Sequence, residues 1–136
     1  MQLAGYRVRI VPRSKVYHLG GGTLQTDSPA KVFYNHRNNL AMLYKCASPA
    51  QRLFVAAARP VLDLLAALSY LAQGRRDNFR AVFRAWCDFI RWHGALACKR
   101  REIRANRKGS AAENIYRGSV VLRYLFGRRT FGGMMR

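Results

Sequence analysis

Two short stretches of this sequence carry side chains of the right type and spacing to do chemistry. The first is Tyr17-His18-Leu19-Gly20-Gly21-Gly22-Thr23-Leu24. Here an imidazole ends a β-like segment immediately before three glycines. A glycine run lets backbone N–H groups converge on a phosphate, and a neighbouring imidazole can ligate a divalent metal or donate to a phosphate oxygen. The same residues also fit a structural histidine followed by a plain turn, and the stretch alone does not decide between the two.

The second is Lys31-Val32-Phe33-Tyr34-Asn35-His36-Arg37-Asn38-Asn39-Leu40. On a helix, Tyr34, Arg37 and Asn38 fall three and four residues apart and share one face. A phenol, a guanidinium and an amide on one face can grip a phosphate or a sugar hydroxyl. A solvated polar face has the same composition, so this reading also stays open.

These groups need elements to hold them. Residues 6–11 (YRVRIV) alternate Arg7 and Arg9 with Val8 and Ile10, and residues 14–19 (SKVYHL) follow a Pro12-Arg13 turn, which predicts two short strands or a hairpin. Ser28-Pro29 predicts a helix start, with the hydroxyl as cap and proline in the first turn, running to about Lys45. A second helix is expected from Ser48-Pro49, with Leu53, Phe54, Ala57, Val61, Leu64, Leu65, Leu68 and Leu71 recurring at helical steps and Pro60 bending it.

After Gln73-Gly74-Arg75-Arg76, a third helix over 78–104 is expected to place Phe79, Val82, Phe83, Trp86, Phe89, Ile90 and His93 on one face. Ser110-x-x-Glu113 has capping-box spacing and predicts a fourth helix over about 111–126. The fold class expected from this pattern is an α/β fragment. It has a short N-terminal hairpin or sheet edge in residues 1–27 and about four amphipathic helices in residues 28–136.

The stretch from Leu53 to Ala72 is long enough to cross a membrane, but Arg59, Pro60 and Asp63 sit near its middle. A buried amphipathic helix and a helix lying in the membrane interface are the other two readings.

With 136 residues the chain has room for one domain, and 50% hydrophobic content is enough for a core. Charge is the outlying quantity. There are 25 Lys plus Arg, 20 of them Arg, against 6 Asp plus Glu, a net charge of +19. Residues 1–68 carry +7 of it and the remainder +12. Nucleic acid, anionic lipid and phosphorylated small molecules all suit that sign. Cys46, Cys87 and Cys98 have no Cys-x-x-Cys pair, which argues against a disulfide framework or a zinc site and for reduced thiols in a cytosolic setting. The first residues hold no run resembling a signal peptide's central region.

Read in order, the motifs resemble a known family. GY, VP, VYHLGGGTL, SPxKxFYNxRNNLxMLYK, Arg59-Pro60-x-Leu62-Asp63, RREI and YRGSVVLRYLFGRRTF together look like the C-terminal part of bacterial family 2 glycosyltransferases of the rhamnosyltransferase-like type. The likeness covers about residues 3–131.

It implies a nucleotide-sugar-dependent transferase with the A-type glycosyltransferase fold (GT-A), acting on a lipid-linked or polysaccharide acceptor. It also implies a peripheral location on the cytoplasmic face of the cell membrane, and a divalent metal, Mg or Mn, in the complete enzyme. By similarity, His18 matches a late histidine near the metal and diphosphate. Gly20, Gly21, Gly22 and Thr23 match the loop beside it. Tyr34, Arg37, Asn38 and Asn39 match a helix facing the donor diphosphate or the acceptor entrance.

The family's Asp-x-Asp motif and its Glu-Asp pair have no counterpart here. Asp27, Asp63, Asp77, Asp88, Glu102 and Glu113 are scattered. No catalytic residue is therefore assigned; a base is expected upstream of Met1, and the chain alone is expected to be inactive. A small basic protein is the alternative. It would bind nucleic acid through Arg75, Arg76, Arg80, Arg84, Lys99, Arg100, Arg101, Arg104, Arg107 and Lys108, or an anionic membrane surface with Phe54, Leu65, Trp86 and Trp92 as anchors. Apolar Val8, Ile10 and Val16 at an unpartnered edge would favour oligomers.

Overall fold

The computed structural model describes residues 2–6, 9, 11–17, 25 and 28–108. Among them are four α-helices and a short 3₁₀ turn, Gln2–Ala4, and no strand. The helices are α1 (Pro29–Cys46), α2 (Pro49–Ala72), α3 (Arg76–Arg91) and α4 (His93–Ala105).

Local chemistry sets the ends. Ser28 accepts from the Lys31 amide at 3.3 Å, with Pro29 in the first turn of α1. Ser48 and Gln51 form a reciprocal capping box, Gln51 N donating to Ser48 Oγ at 3.3 Å and Ser48 N to Gln51 Oε1 at 3.0 Å. Gly74, at φ 73°, ends α2 in the left-handed conformation that costs a glycine least. The Arg75 and Gly74 amides then close back on Tyr70 O and Leu71 O, each at 2.9 Å. The helix continues through Pro60.

α1 lies mainly against α3 and then α4, while α2 packs chiefly on α3. The core is small: Val32, Ala67, Ala81 and Val82 form its buried centre, with Phe33, Tyr70, Phe79 and Trp86 around it. Alanines at the contacts let helix backbones approach closely, and Ala67 and Ala85 are fully buried.

Three expectations are corrected. The α/β class gives way to an all-α arrangement across the described residues. Of the expected hairpin, the Pro12-Arg13 turn is present, with Ser14 N donating to Val11 O at 3.0 Å, but residues 14–17 have no regular structure. Val16 and Tyr17 stand 84% and 96% exposed; a strand pair with no third strand or helix over one face is marginal in water. Residues 7, 8, 10, 18 and 19 of that hairpin lie outside the described residues.

The single helix expected over 78–104 is two, α3 and α4, hinged at Trp92. Its inward face is also rotated: Asn78, Ala81, Val82 and Ala85 are buried, whereas Phe83 and Ile90 are 44% and 66% exposed. Small residues point inward because α3 is flanked closely by α1 and α2. The helix expected over 111–126 and its Ser110–Glu113 box lie outside the described residues. At the other end, Lys108 N donates to Leu3 O at 3.1 Å, so the 3₁₀ turn sits beside the end of α4.

Candidate functional site

His18, Gly20, Gly21, Gly22 and Thr23 lie outside the described residues. The remaining four candidates are on α1, and the structure places them differently from one another. Tyr34 and Asn38 are exposed and Asn39 is half-buried.

Arg37 is held in an aromatic cage. Its Cζ lies 5.2 Å from the Phe33 centroid, 4.9 Å from Tyr34 and 4.6 Å from Trp92. Nη1 donates to Asp88 Oδ2 at 3.3 Å, and Nε and Nη2 donate to Asn38 Oδ1 at 3.2 and 3.1 Å. Three of the five guanidinium N–H groups are thus directed at protein acceptors. Arg37 joins α1 to α3 and to the hinge at Trp92, and the phenol of Tyr34 borders it.

A second polar node was not legible as a unit. Asp63, 2% exposed, accepts from Trp86 Nε1 at 3.0 Å and from Arg59 Nε at 3.0 and 3.1 Å on its two oxygens. His36 Nδ1 lies 3.0 Å from Asp63 Oδ1. A buried carboxylate requires such donors. One turn of α2 is thereby tied to α1 and α3. The i,i+4 spacing of Arg59 and Asp63 was a signal for half of it; the His36 and Trp86 partners, 27 and 23 residues from Asp63, had none. Trp86 is therefore an internal anchor of the bundle, not a membrane-facing one.

Arg100 is likewise withdrawn from the expected basic surface. It is 5% exposed and donates to the Tyr44, Lys45 and Ala47 carbonyls, which α1 leaves unpaired at its C-terminus. Burial pushes its pKa below the ordinary value, and neighbouring Arg104 and Arg52 act in the same direction.

What remains outside is distinctive. α2 has 24 residues and is the one described helix long and apolar enough to cross a membrane, yet little of it is covered by the bundle. Phe54, Val61, Leu65 and Leu68 follow one another at helical steps on the face opposite Asp63 and Ala67, with exposures of 73, 58, 58 and 47%. Leu53, Leu62, Leu64 and Leu71 widen the stripe. Scattered apolar residues on a surface are ordinary, whereas these form a contiguous band along one face of α2.

Among the described residues, no three His, Cys, Asp or Glu side chains gather as metal ligands. The acid–imidazole pair found among them, Asp63 and His36, is already engaged with Arg59 and Trp86, so the described residues do not furnish a site for the divalent metal. The three cysteines are free and exposed. No protein-family model, no curated protein and no solved structure matches the chain.

Proposed function

We propose that the chain is the membrane-docking C-terminal part of a family 2 glycosyltransferase that moves a sugar from a nucleotide-sugar donor to a lipid-linked or polysaccharide acceptor. The docking is peripheral, on the cytoplasmic face of the cell membrane. The observation that carries the membrane half of this reading is the apolar face of α2, left uncovered by the other described helices, on a chain of net charge +19. An apolar stripe beside arginines suits the interface of an anionic bilayer, where the stripe enters the acyl boundary and guanidinium groups meet phosphates.

The Asp63 node favours an interfacial helix over a spanning one. Its carboxylate sits mid-helix and is satisfied by α1 and α3. Crossing the bilayer would strand that carboxylate or drag its partners into hydrocarbon.

The transferase half of the reading rests on the ordered sequence motifs. In that account Tyr34, Arg37, Asn38 and Asn39 of α1 serve the donor diphosphate or the acceptor, as do Gly20, Gly21, Gly22 and Thr23. His18 is the one metal ligand this chain would supply, with Mg or Mn belonging to the complete enzyme. In that account a carboxylate of the complete enzyme deprotonates the acceptor.

Translating the genomic DNA upstream of the Met1 codon, in frame, tests the transferase half. An Asp-x-Asp motif followed by a Glu-Asp pair shortly before Met1 is expected. A closed frame with no separately encoded partner half contradicts it, and leaves the chain as a non-catalytic membrane-surface protein.

A further inference from the structure

The N-terminal ends of α1 and α3 open into two adjoining clefts of about 500 Å³ each. The first is lined by Phe33, Tyr34, Arg80 and Arg84, the second by Arg76 and Arg80, and Asp77 borders both. Arg76, Arg80 and Arg84 recur every fourth residue, so their guanidinium groups form a stripe along α3 with a rise of about 6 Å between successive members. Among the described residues, Asp77 is the one acid that lines either cleft.

Asp77 meets Arg80 at 3.5 Å, with both side chains more than 70% exposed, a contact weak enough to exchange for a ligand. Arg84 lies over the Phe33 ring at 5.7 Å, which holds its guanidinium at the cleft wall. Among the described residues no side chain caps the first turn of α3, whose positive end adjoins this region with Asp77 beside it.

We infer that these clefts form a binding site for a phosphate group, supplied by an anionic lipid headgroup. Guanidinium forks match phosphate oxygens two at a time, and the stripe offers three of them beside an apolar wall of Phe33 and Tyr34. The choice of lipid follows from continuity. The α2 stripe runs to Leu68 and Leu71, and the Gly74–Arg76 turn that lines the second cleft follows directly. A bilayer that receives the stripe presents its phosphates at that turn. The choice of lipid rests on the membrane-docking reading above; the phosphate chemistry of the clefts does not.

The test compares the full chain with Arg80→Gln/Arg84→Gln and with Arg101→Gln/Arg104→Gln, a pair of exposed arginines on α4 that removes the same charge. Binding to phosphatidylglycerol/phosphatidylcholine vesicles is measured by flotation. In parallel, inorganic phosphate and pyrophosphate are titrated while amide and guanidinium NMR shifts are followed. The cleft pair is expected to lose about tenfold more vesicle affinity than the α4 pair, and soluble phosphate is expected to shift Arg76, Arg80 and Arg84 signals first.

Equal losses from both pairs, with phosphate still shifting the three arginines, would overturn the lipid source and assign the clefts to a soluble phosphorylated ligand. Equal losses with no such shifts would overturn the site and leave membrane docking standing. Wild-type protein that ignores vesicles would overturn docking and the lipid source, and the phosphate titration would then decide the clefts alone.

Discussion

Asp63 is the residue whose removal reports most directly on how the bundle is held. Substituting Asp63→Ala takes one acceptor group from three donors: Trp86 Nε1, Arg59 Nε and the His36 ring. Trp86 then keeps a buried N–H without a partner, at a cost of about 1–3 kcal/mol. His36 and Arg59 side chains are 13% and 22% exposed and regain only part of their hydration.

Breaking a buried ionic node of this kind costs about 3–5 kcal/mol in total. For a chain of 136 residues that lowers Tm by roughly 10 °C or more, at about 3–4 °C per kcal/mol. Thermal and urea unfolding followed by far-UV circular dichroism provide the assay. A cycle with Trp86→Phe sharpens it: alone that change costs about 1–2 kcal/mol, and in the Asp63→Ala background much less, because the N–H is already orphaned. An Asp63→Ala protein within about 1 kcal/mol of wild type, with additive behaviour in the cycle, would refute the argument that this carboxylate joins the three helices.

Further outcomes follow from the same structure. Arg100→Met is expected to destabilise by about 2–3 kcal/mol, since three α1 carbonyls lose a charged donor, and Arg100→Lys to recover only part of it, because an ammonium cannot fork across them. The lowered Arg100 pKa means its burial cost is full at every pH below that value and is relieved only as pH rises through it. The loss on substitution should therefore shrink only at the alkaline end of a pH series of urea unfolding. Ser48→Ala removes the α2 capping box and should cost about 1 kcal/mol in urea unfolding, whereas Asp77→Ala, an exposed pair, should change stability by less than about 0.5 kcal/mol.

How much of this was visible in the sequence depends on the range over which each signal acts. Ser28-Pro29, Ser48-Pro49 and Gly74 are local devices whose chemistry completes within a turn, and they bound α1 and α2 as expected. The α2 apolar stripe was equally plain, although only the structure shows that the bundle leaves it uncovered. The break at Trp92 was hidden because it serves contacts distant in sequence: the ring lies beneath Arg37 and the turn carries Arg100 onto the end of α1. The inward face of α3 is hidden for a related reason. Large apolar residues marked an amphipathic helix, but close packing on two neighbours put Ala81 and Ala85 inside instead. The Arg37 contacts are hidden in the same way, because its partners Asp88 and Trp92 are more than fifty residues away along the chain.

Vesicle flotation of the full chain and Leu65→Asp tests the central claim, that the outer face of α2 docks on an anionic bilayer. Leu65 is 58% exposed in the middle of the stripe, so the substitution should leave the melting temperature nearly unchanged. The account predicts that wild-type protein floats with vesicles containing phosphatidylglycerol, far less with phosphatidylcholine alone, and that Leu65→Asp remains at the bottom of the gradient. Flotation of Leu65→Asp equal to wild type, or wild-type protein that ignores anionic vesicles altogether, would contradict it.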